Sequence, residues 1–320
     1  MPTFIIGAGF NADAAAEAGL QQTDSGYPLV ADTLHLCFGL PGIPAGKSIE
    51  DLFLEAQERR NFDPIRKLAD RLRFADYYVA SALSRAERAN CYQQFFGKFH
   101  GSSFLTFNYD SLPETILFRM RCWFPRDGYG VRVTAPLPPG EEEFAGVTSS
   151  ALVLHLHGSL CVRTSEYESL LKPGEDMAWL TERVEPLYSF DASSISWNFA
   201  PFHSAVGAHD MEDRIIAPDP DKSQGLKQVF IKATYAKAVG ILRDSDIVVA
   251  IGYSFNPYDR TSYRPLLEAL ASSKGKRLIV VSPDAGNVAQ TIRPDFPDLS
   301  IEPLAATFKQ WVTDAFPGMR

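Results

Sequence analysis

The sequence predicts an α/β protein: a mostly parallel sheet of about six strands, helices on both faces, and a helical insertion. Three observations carry this prediction. Short β-branched or aromatic runs alternate with segments of helical apolar spacing, the pattern of βαβ units. Several runs are almost continuously apolar, as strands buried on both faces are. The 320 residues, 45% hydrophobic and 22% charged, supply a core ample for one large domain with insertions, read here as a single domain over 1–320.

The first run, Thr3–Ile6, leads into Gly7-Ala8-Gly9-Phe10-Asn11-Ala12. A strand, a G-x-G-x-x-A phrase and a helix in that order match the dinucleotide fingerprint. Its glycines admit close backbone approach, and a helix N-terminus offers amides to a pyrophosphate. An ordinary dehydrogenase of this Rossmann-like type places an acidic residue at the end of a second strand about 20 residues on. Asp32 has the distance, but it sits among Val30, Leu34 and Leu36, with no strand to hold it.

From about 28 to 100 the spacing turns helical, with Ile49, Leu52, Phe53 and Ala56 on one stripe and Ile65, Leu68, Leu72 and Ala75 on the next. This is the expected helical insertion. Asp63-Pro64 reads as an N-cap followed by proline at the first helical position.

The second strand, Ser103–Phe107, ends in Thr106-Phe107-Asn108-Tyr109-Asp110. Asp110 suits a cap on the helix that begins near Ser111, whereas an amide at Asn108 can orient a ribose hydroxyl or a water through both a donor and an acceptor. The proline-rich stretch Val133–Ser150 reads as a loop. The third strand, Ala151–Leu156, runs into His157-Gly158-Ser159, which puts a titratable imidazole where an open α/β sheet presents its chemistry. On a regular strand His155 and His157 share a face, so a metal pair is conceivable. No third ligand is evident, and the non-metal reading is preferred.

An irregular insertion is expected over about 163–213, then strands at Arg214–Ala217, Asp246–Gly252 and Arg277–Ser282. Ile251-Gly252-Tyr253-Ser254-Phe255-Asn256 approaches a nucleophile elbow, but in that fold the triad histidine follows the serine. The last histidine is His209, so chain order rejects it. Gly252 and Ser254 read better as a second nucleotide-facing turn.

Composition removes other classes. A net charge of -8, from 31 basic and 39 acidic residues, gives no electrostatic reason to expect direct nucleic-acid binding. Cys37, Cys91, Cys122 and Cys161 are far apart and form no C-x-x-C pair, so no zinc is expected and reduced thiols are. No apolar run reaches membrane-spanning length, and Asn11, Asp13 and Glu17 interrupt the N-terminal stretch. A cytoplasmic location is expected.

Gly-Ala-Gly after the first strand, Thr106-Phe-Asn108-Tyr-Asp110, Leu156-His157-Gly158-Ser159 and Gly252-Tyr-Ser254, in this order, resemble the sirtuin superfamily. The likeness is nearest to prokaryotic sirtuin-like NAD-consuming effectors of antiphage defence, whose pattern Gly26-Tyr-Pro28 also resembles. It covers the sheet and not the insertions. The four-cysteine zinc module and the Gly-Ile-Pro-Asp-Phe-Arg stretch of the protein deacylases are absent from the sequence, which demotes deacylation.

What the resemblance implies is an NAD glycohydrolase that cleaves NAD, its substrate, to nicotinamide and ADP-ribose. Asn108 would orient the ribose or water and His157 would act as general base. Gly7, Ala8, Gly9 and Phe10 would hold the pyrophosphate, with Asp13 beside them and Thr106 and Asp110 in the same site. Gly252, Ser254, Ser282 and Asp284 would line the adenosine half. An effector of this kind must be silent until triggered, which implies a companion protein or self-assembly into an oligomer. The alternatives are an NAD- or ADP-ribose-binding sensor without turnover, and an NAD-dependent deacylase or ADP-ribosyltransferase.

Overall fold

Thr3–Ile6 forms the first strand because all four residues are buried, with Phe4, Ile5 and Ile6 almost without exposure. A computed structural model describes residues 1–21, 26–131, 133–134, 147–164, 188–190 and 229–319. Its strands are β1 (Thr3–Ile6), β2 (Ser103–Thr106), β3 (Val133–Thr134), β4 (Leu152–His155), β5 (Val162–Thr164), β6 (Tyr188–Phe190), β7 (Ile247–Ile251), β8 (Arg277–Ser282) and β9 (Ser300–Ala305). Six of them build one sheet in the order β4-β2-β1-β7-β8-β9, and β3, β6 and β5 build a small second one.

Every pairing in the large sheet is parallel. Counted along the chain, its strands lie in the order 3-2-1-4-5-6, the doubly wound Rossmann arrangement. Alternate residues feed two cores. Phe4, Ile6, Phe104, Val153, Val249 and Ile251 face one, while Ile5, Leu105, Leu154, Val248 and Ala250 face the other. The apolar runs are continuous because both faces are covered.

The first core is built with the helical segment expected over 28–100. Helices Ile49–Glu58 and Asp63–Ala75 carry the two apolar stripes, and Cys91–Lys98 packs Phe95 and Phe96 against Phe4, Phe10 and Phe104. The second of these helices starts one residue earlier than its sequence suggests. Phe62 is the N-cap, and Asp63 is already helical, its amide capped by Asn61 Oδ1 at 3.2 Å. A π-helical turn, Asp76–Ala80, joins it to Ser81–Arg85 and swings Asp76 into the interior, where it is fully buried.

The strand predictions at 3–6 and 277–282 match the ladder, and those at 103–107, 151–156 and 246–252 overrun it by a residue at one or both ends. Their ends nevertheless keep single rungs: Phe107 N donates to Ile6 O at 2.9 Å, Leu156 N to Thr106 O at 2.8 Å and Gly252 N to Val281 O at 3.0 Å. Arg214–Ala217 and most of 163–213 lie outside the described residues. Val133–Thr134, expected in a loop, is a two-residue strand of the small sheet. The sixth strand of the large sheet is β9, which the sequence does not advertise. Among the described residues it pairs only with β8, and such an edge tolerates Pro303, which has no N–H to donate.

Candidate functional site

The strand order reverses between β1 and β7, which is where open α/β sheets bind ligands beyond their carboxyl ends. Here the two glycine turns lean on each other. Gly7 N donates to Ile251 O at 3.1 Å and Gly9 N to Gly252 O at 2.9 Å. A Cβ at Gly252 would lie 2.2 Å from Phe10 N and 2.3 Å from the Gly9 carbonyl carbon, and Gly252 has a φ of 60°. A Cβ at Gly7 would sit 2.6 Å from Tyr253 Cα. Loop-on-loop contact alone therefore demands these glycines.

The turn that follows is a 3-10 segment, Ala8–Asn11, and the helix behind it spans only Ala14–Glu17. Phe10 N donates to Gly7 O, and the Phe10 ring is buried against Tyr92 and Phe308. Phe10 is thus a core residue whose backbone, not its side chain, borders the site. Asp13 precedes the short helix, half-buried, and its carboxylate makes no cap bond.

Beneath this turn lies a cavity of about 190 Å³ lined by Ala8, Asn11, Tyr27, Pro28, Leu29, Ile49, Phe53, Leu72, Phe107, Asn108, Tyr109 and Asp110 among others. The helical insertion supplies its apolar wall, and the ends of β1 and β2 supply the polar one. Asn108 is held at three points. Its amide donates to Thr106 Oγ1 at 3.0 Å, its Nδ2 to Gly7 O at 3.3 Å, and its carbonyl accepts from His155 Nδ1 at 2.9 Å. Thr106 is itself buried, so its hydroxyl serves the loop.

Asp110 is not the cap of the next helix, Leu112–Arg119, whose N-cap is Ser111; from one residue earlier its Oδ1 accepts from Leu112 N at 3.2 Å. Its other oxygen accepts from Asn11 Nδ2 at 2.7 Å. Burial, with the Glu114 charge adding to it, pushes the Asp110 carboxyl up to about 6 against the lowering effect of those bonds. The Asn11 side chain is 3% exposed, and its Oδ1 has no partner. That oxygen has almost no accessible surface, so it can accept from a ligand N–H in the cavity only when the Asn11 side chain turns. Behind this wall Asp76 accepts from Tyr27 Oη at 2.7 Å and Ser111 N at 3.0 Å; burial and the neighbouring Asp110 charge raise its pKa well above the carboxylate range.

His155 and His157 do not share a face, contrary to the expectation from a regular strand. β4 ends at His155, and the chain turns at Gly158, whose φ is 88°. His155 Nε2 meets Glu114 Oε1 at 2.5 Å on the helix Leu112–Arg119. His157 Nε2 lies 3.1 Å from Ser262 Oγ on the helix Arg260–Ala271. The His157 ring also packs edge-on against Phe107, centroids 4.9 Å apart, and Phe107 stacks on Tyr253 at 4.1 Å. Phe107 thus has one contact with the cavity and another with His157.

The expected adenosine-side residues gather at the ends of β7 and β8. Ser254 is exposed. Ser282 Oγ donates to Asp284 Oδ1 at 2.5 Å, and both carry exposed surface. The structure groups Ala8, Asn108 and Asp110 at the cavity, sets His157 behind Phe107, and leaves Ser282 and Asp284 as a pair two strands away from β1. Sequence reasoning missed Asn11, Tyr27, Asp76, Glu114 and His155 as members of this network. Asn11 and Tyr27 stood inside motifs already singled out, but their partners Asp110 and Asp76 are 99 and 49 residues away.

Among the described residues no group of three His, Cys, Asp or Glu side chains could hold a metal ion, and none of the four cysteines is in a disulfide. No described helix is long and apolar enough to cross a membrane.

No family model matches the chain, and no curated protein matches it. Solved structures similar to it include a mutant Sir2 homologue in complex with ADP-ribose, 13% identical, covering 98% of this chain and 89% of that one with a TM-score of 0.43. Another is a Sir2 homologue–NAD complex, 16% identical, covering 98% and 90% with a TM-score of 0.41. At such scores the strand order, and not these neighbours, defines the fold.

Proposed function

We propose that the protein is an NAD glycohydrolase that transfers the ADP-ribosyl group of NAD to water. The observation that carries this reading is the cavity beside the carboxyl ends of β1 and β2, where Asn11, Asn108 and Asp110 line one wall. Its walls suit a flat ring, and its polar side offers acceptors to a carboxamide N–H. In the reaction the bond from ribose C1′ to the pyridinium nitrogen breaks, and its electron pair neutralises the departing nicotinamide. Water adds to C1′ and gives its proton to a base.

Asn108, held by Gly7 and His155, orients the ribose or the water. His157 is the base, its imidazole separated from the cavity by the Phe107 ring and released from Ser262 when substrate arrives. A base bonded elsewhere in the free protein is compatible with this role, because catalytic contacts often tighten only with substrate bound. The backbone of Gly7, Ala8, Gly9 and Phe10, with Asp13 nearby, faces the pyrophosphate. Gly252, Ser254, Ser282 and Asp284 serve the adenosine half, with Thr106 and Asp110 supporting the ribose end.

The resemblance noted in the sequence supports reading it as a cytoplasmic defence effector that depletes NAD when a companion protein or self-assembly releases it. A sensor that binds NAD or ADP-ribose without turnover is the second reading. It is favoured by the closed state of the glycine turn, where the amides of Gly7, Gly9 and Phe10 are already bonded.

Incubation with NAD and identification of the products separates hydrolysis, cyclisation and transfer. His157→Ala and Asn108→Ala each lower nicotinamide release by about 100-fold or more. Unchanged release in both variants, or none from the wild type under any activating condition, rejects the enzyme. Tight ADP-ribose binding in calorimetry without turnover then supports the sensor. Acyl-peptide turnover or label incorporation would instead mark a deacylase or an ADP-ribosyltransferase.

A further inference from the structure

The contact between Glu114 and His155 is the one fully buried pair of oppositely chargeable groups among the described residues, and the reaction proposed above does not use it. Both side chains are inaccessible. Glu114 Oε1 meets His155 Nε2 at 2.5 Å, and the other imidazole nitrogen, Nδ1, lies 2.9 Å from the carbonyl oxygen of Asn108. A carbonyl can only accept, so Nδ1 carries a proton and donates it. Glu114 Oε2 has no partner. The carboxylate is thus committed to a single contact, the imidazole that grips Asn108.

The position of this grip has a topological reason. In the β2–β4 ladder Thr106 stands opposite His155, and the last backbone rung is Leu156 N to Thr106 O at 2.8 Å. Beyond it the chain leaves the sheet, and no rung from β4 reaches the Asn108 carbonyl. The His155 side chain supplies that missing rung. From the other side, the Asn108 amide bonds Thr106 Oγ1, and its Nδ2 bonds Gly7 O. With the peptide fixed on both sides, the Asn108 side chain keeps one direction at the cavity wall.

We propose that Glu114 and His155 are positioning residues of the candidate site: the buried pair clamps the Asn108 carbonyl and thereby sets where the Asn108 side chain meets the substrate. This rests on the NAD-cleaving reading for its consequence in catalysis, though not for its geometry. The clamp touches neither substrate nor cavity and acts only through Asn108. It holds in either of two protonation patterns. An imidazolium donates from both nitrogens to Asn108 and Glu114. A neutral imidazole protonated at Nδ1 still donates to Asn108, provided the group at position 114 can donate to Nε2.

That second pattern supplies the conservative variant. Glu114→Gln offers an amide N–H to Nε2 and keeps Nδ1–H on Asn108, whereas Glu114→Ala removes the support and His155→Ala removes the clamp. The test is a cycle on the full chain with NAD as substrate, comparing wild type, Glu114→Gln, His155→Ala, Asn108→Ala and the double variant. The clamp predicts that Glu114→Gln stays within about threefold of wild type, while His155→Ala lowers kcat about 10- to 100-fold with KM little changed. In the Asn108→Ala background His155→Ala should cost nothing more: the carbonyl is still gripped, but the side chain that the grip orients is gone.

Equal losses from His155→Ala in both backgrounds would mean a merely structural role and overturn the proposal. Nuclear magnetic resonance provides the readout independent of activity. The Asn108 side-chain amide signals should shift in His155→Ala and Glu114→Ala and return near wild type in Glu114→Gln. If wild type releases no nicotinamide, the catalytic reading fails while these signals still decide the clamp; unmoved Asn108 signals in His155→Ala reject it.

Discussion

Gly252→Ala tests whether the two glycine turns are shaped by each other. The new Cβ would stand 2.2 Å from Phe10 N, 2.3 Å from Gly9 C and 2.6 Å from Gly9 Cα. All three are backbone atoms, so no rotamer change relieves the overlap, and one loop must withdraw by about 1 Å to reach ordinary contact. Withdrawal breaks Gly9 N to Gly252 O at 2.9 Å and weakens Gly7 N to Ile251 O at 3.1 Å, each bond contributing about 1 kcal/mol. A left-handed alanine at φ 60° adds about 1 kcal/mol more. The expected loss is therefore about 3 kcal/mol, a large part of the 5–15 kcal/mol typical of a folded domain. At a urea slope of roughly 3 kcal/mol per molar, the unfolding midpoint falls by about 1 M. Gly286→Ala is the matched control, since its Cβ meets nothing within 4 Å in the helix Ala285–Ile292; it should leave stability unchanged or raise it by up to about 1 kcal/mol. A Gly252→Ala midpoint within about 0.2 M of wild type would refute the argument.

Two further outcomes follow from buried acids and their partners. Asp110 has a folded pKa of about 6, raised first by burial, so the folded state binds its proton more tightly than the unfolded chain does. Its favourable contribution is complete below about pH 3.9 and is lost as pH rises through 6. Asp110→Asn should therefore be more stable than wild type at pH 7.5 and lose that advantage at pH 4, as urea unfolding at both values will read. The fold accepts the amide because Asn11 can rotate its unpartnered Oδ1 toward it. An advantage of the same size at both pH values would contradict this. For His155, burial alone lowers the pKa, but the Glu114 charge and hydrogen bond outweigh it and hold the imidazole above 6.5. Stability from this pair is present below pH 6.5 and lost as pH rises through the higher folded pKa. Glu114→Gln should flatten the pH dependence of unfolding in that window, and an unchanged slope would show that another group titrates there.

Most of the fold was legible because its signals are local. β1, β7 and β8 are apolar runs buried on both faces, and each needs only its own residues to declare itself. β9 was illegible because an edge strand has half the burial: Ser300, Glu302, Pro303 and Ala305 break its pattern, and only the ladder to β8 makes it a strand. The same division runs through the site. Asn108 and His157 announce themselves by residue type at the ends of strands, whereas Glu114 and His155 meet from 41 residues apart. From sequence His155 reads only as half of a metal pair, since a period of two carries past the last rung. In the structure the ladder stops at His155, and Gly158 redirects the chain.

This changes what the glycines mean. A G-x-G-x-x-A phrase suggests amides offered to a pyrophosphate, yet here Gly7, Gly9 and Phe10 spend theirs on Ile251, Gly252 and Gly7, and the helix that should lend its dipole has four residues. A macrodipole needs aligned peptides to accumulate, and one turn supplies little of it. On the proposed reading, specificity then rests on the cavity wall, where Asn11 stands on the turn that the glycine contact fixes and Asn108 on the β2 end that bonds Gly7 O. Gly7 joins the two functions in one residue: its amide ties β1 to β7, and its carbonyl receives Asn108 Nδ2. The glycine turns serve this site first as a fixed frame, and the direction of Asn108 is what that frame, with the His155 clamp opposite it, exists to hold.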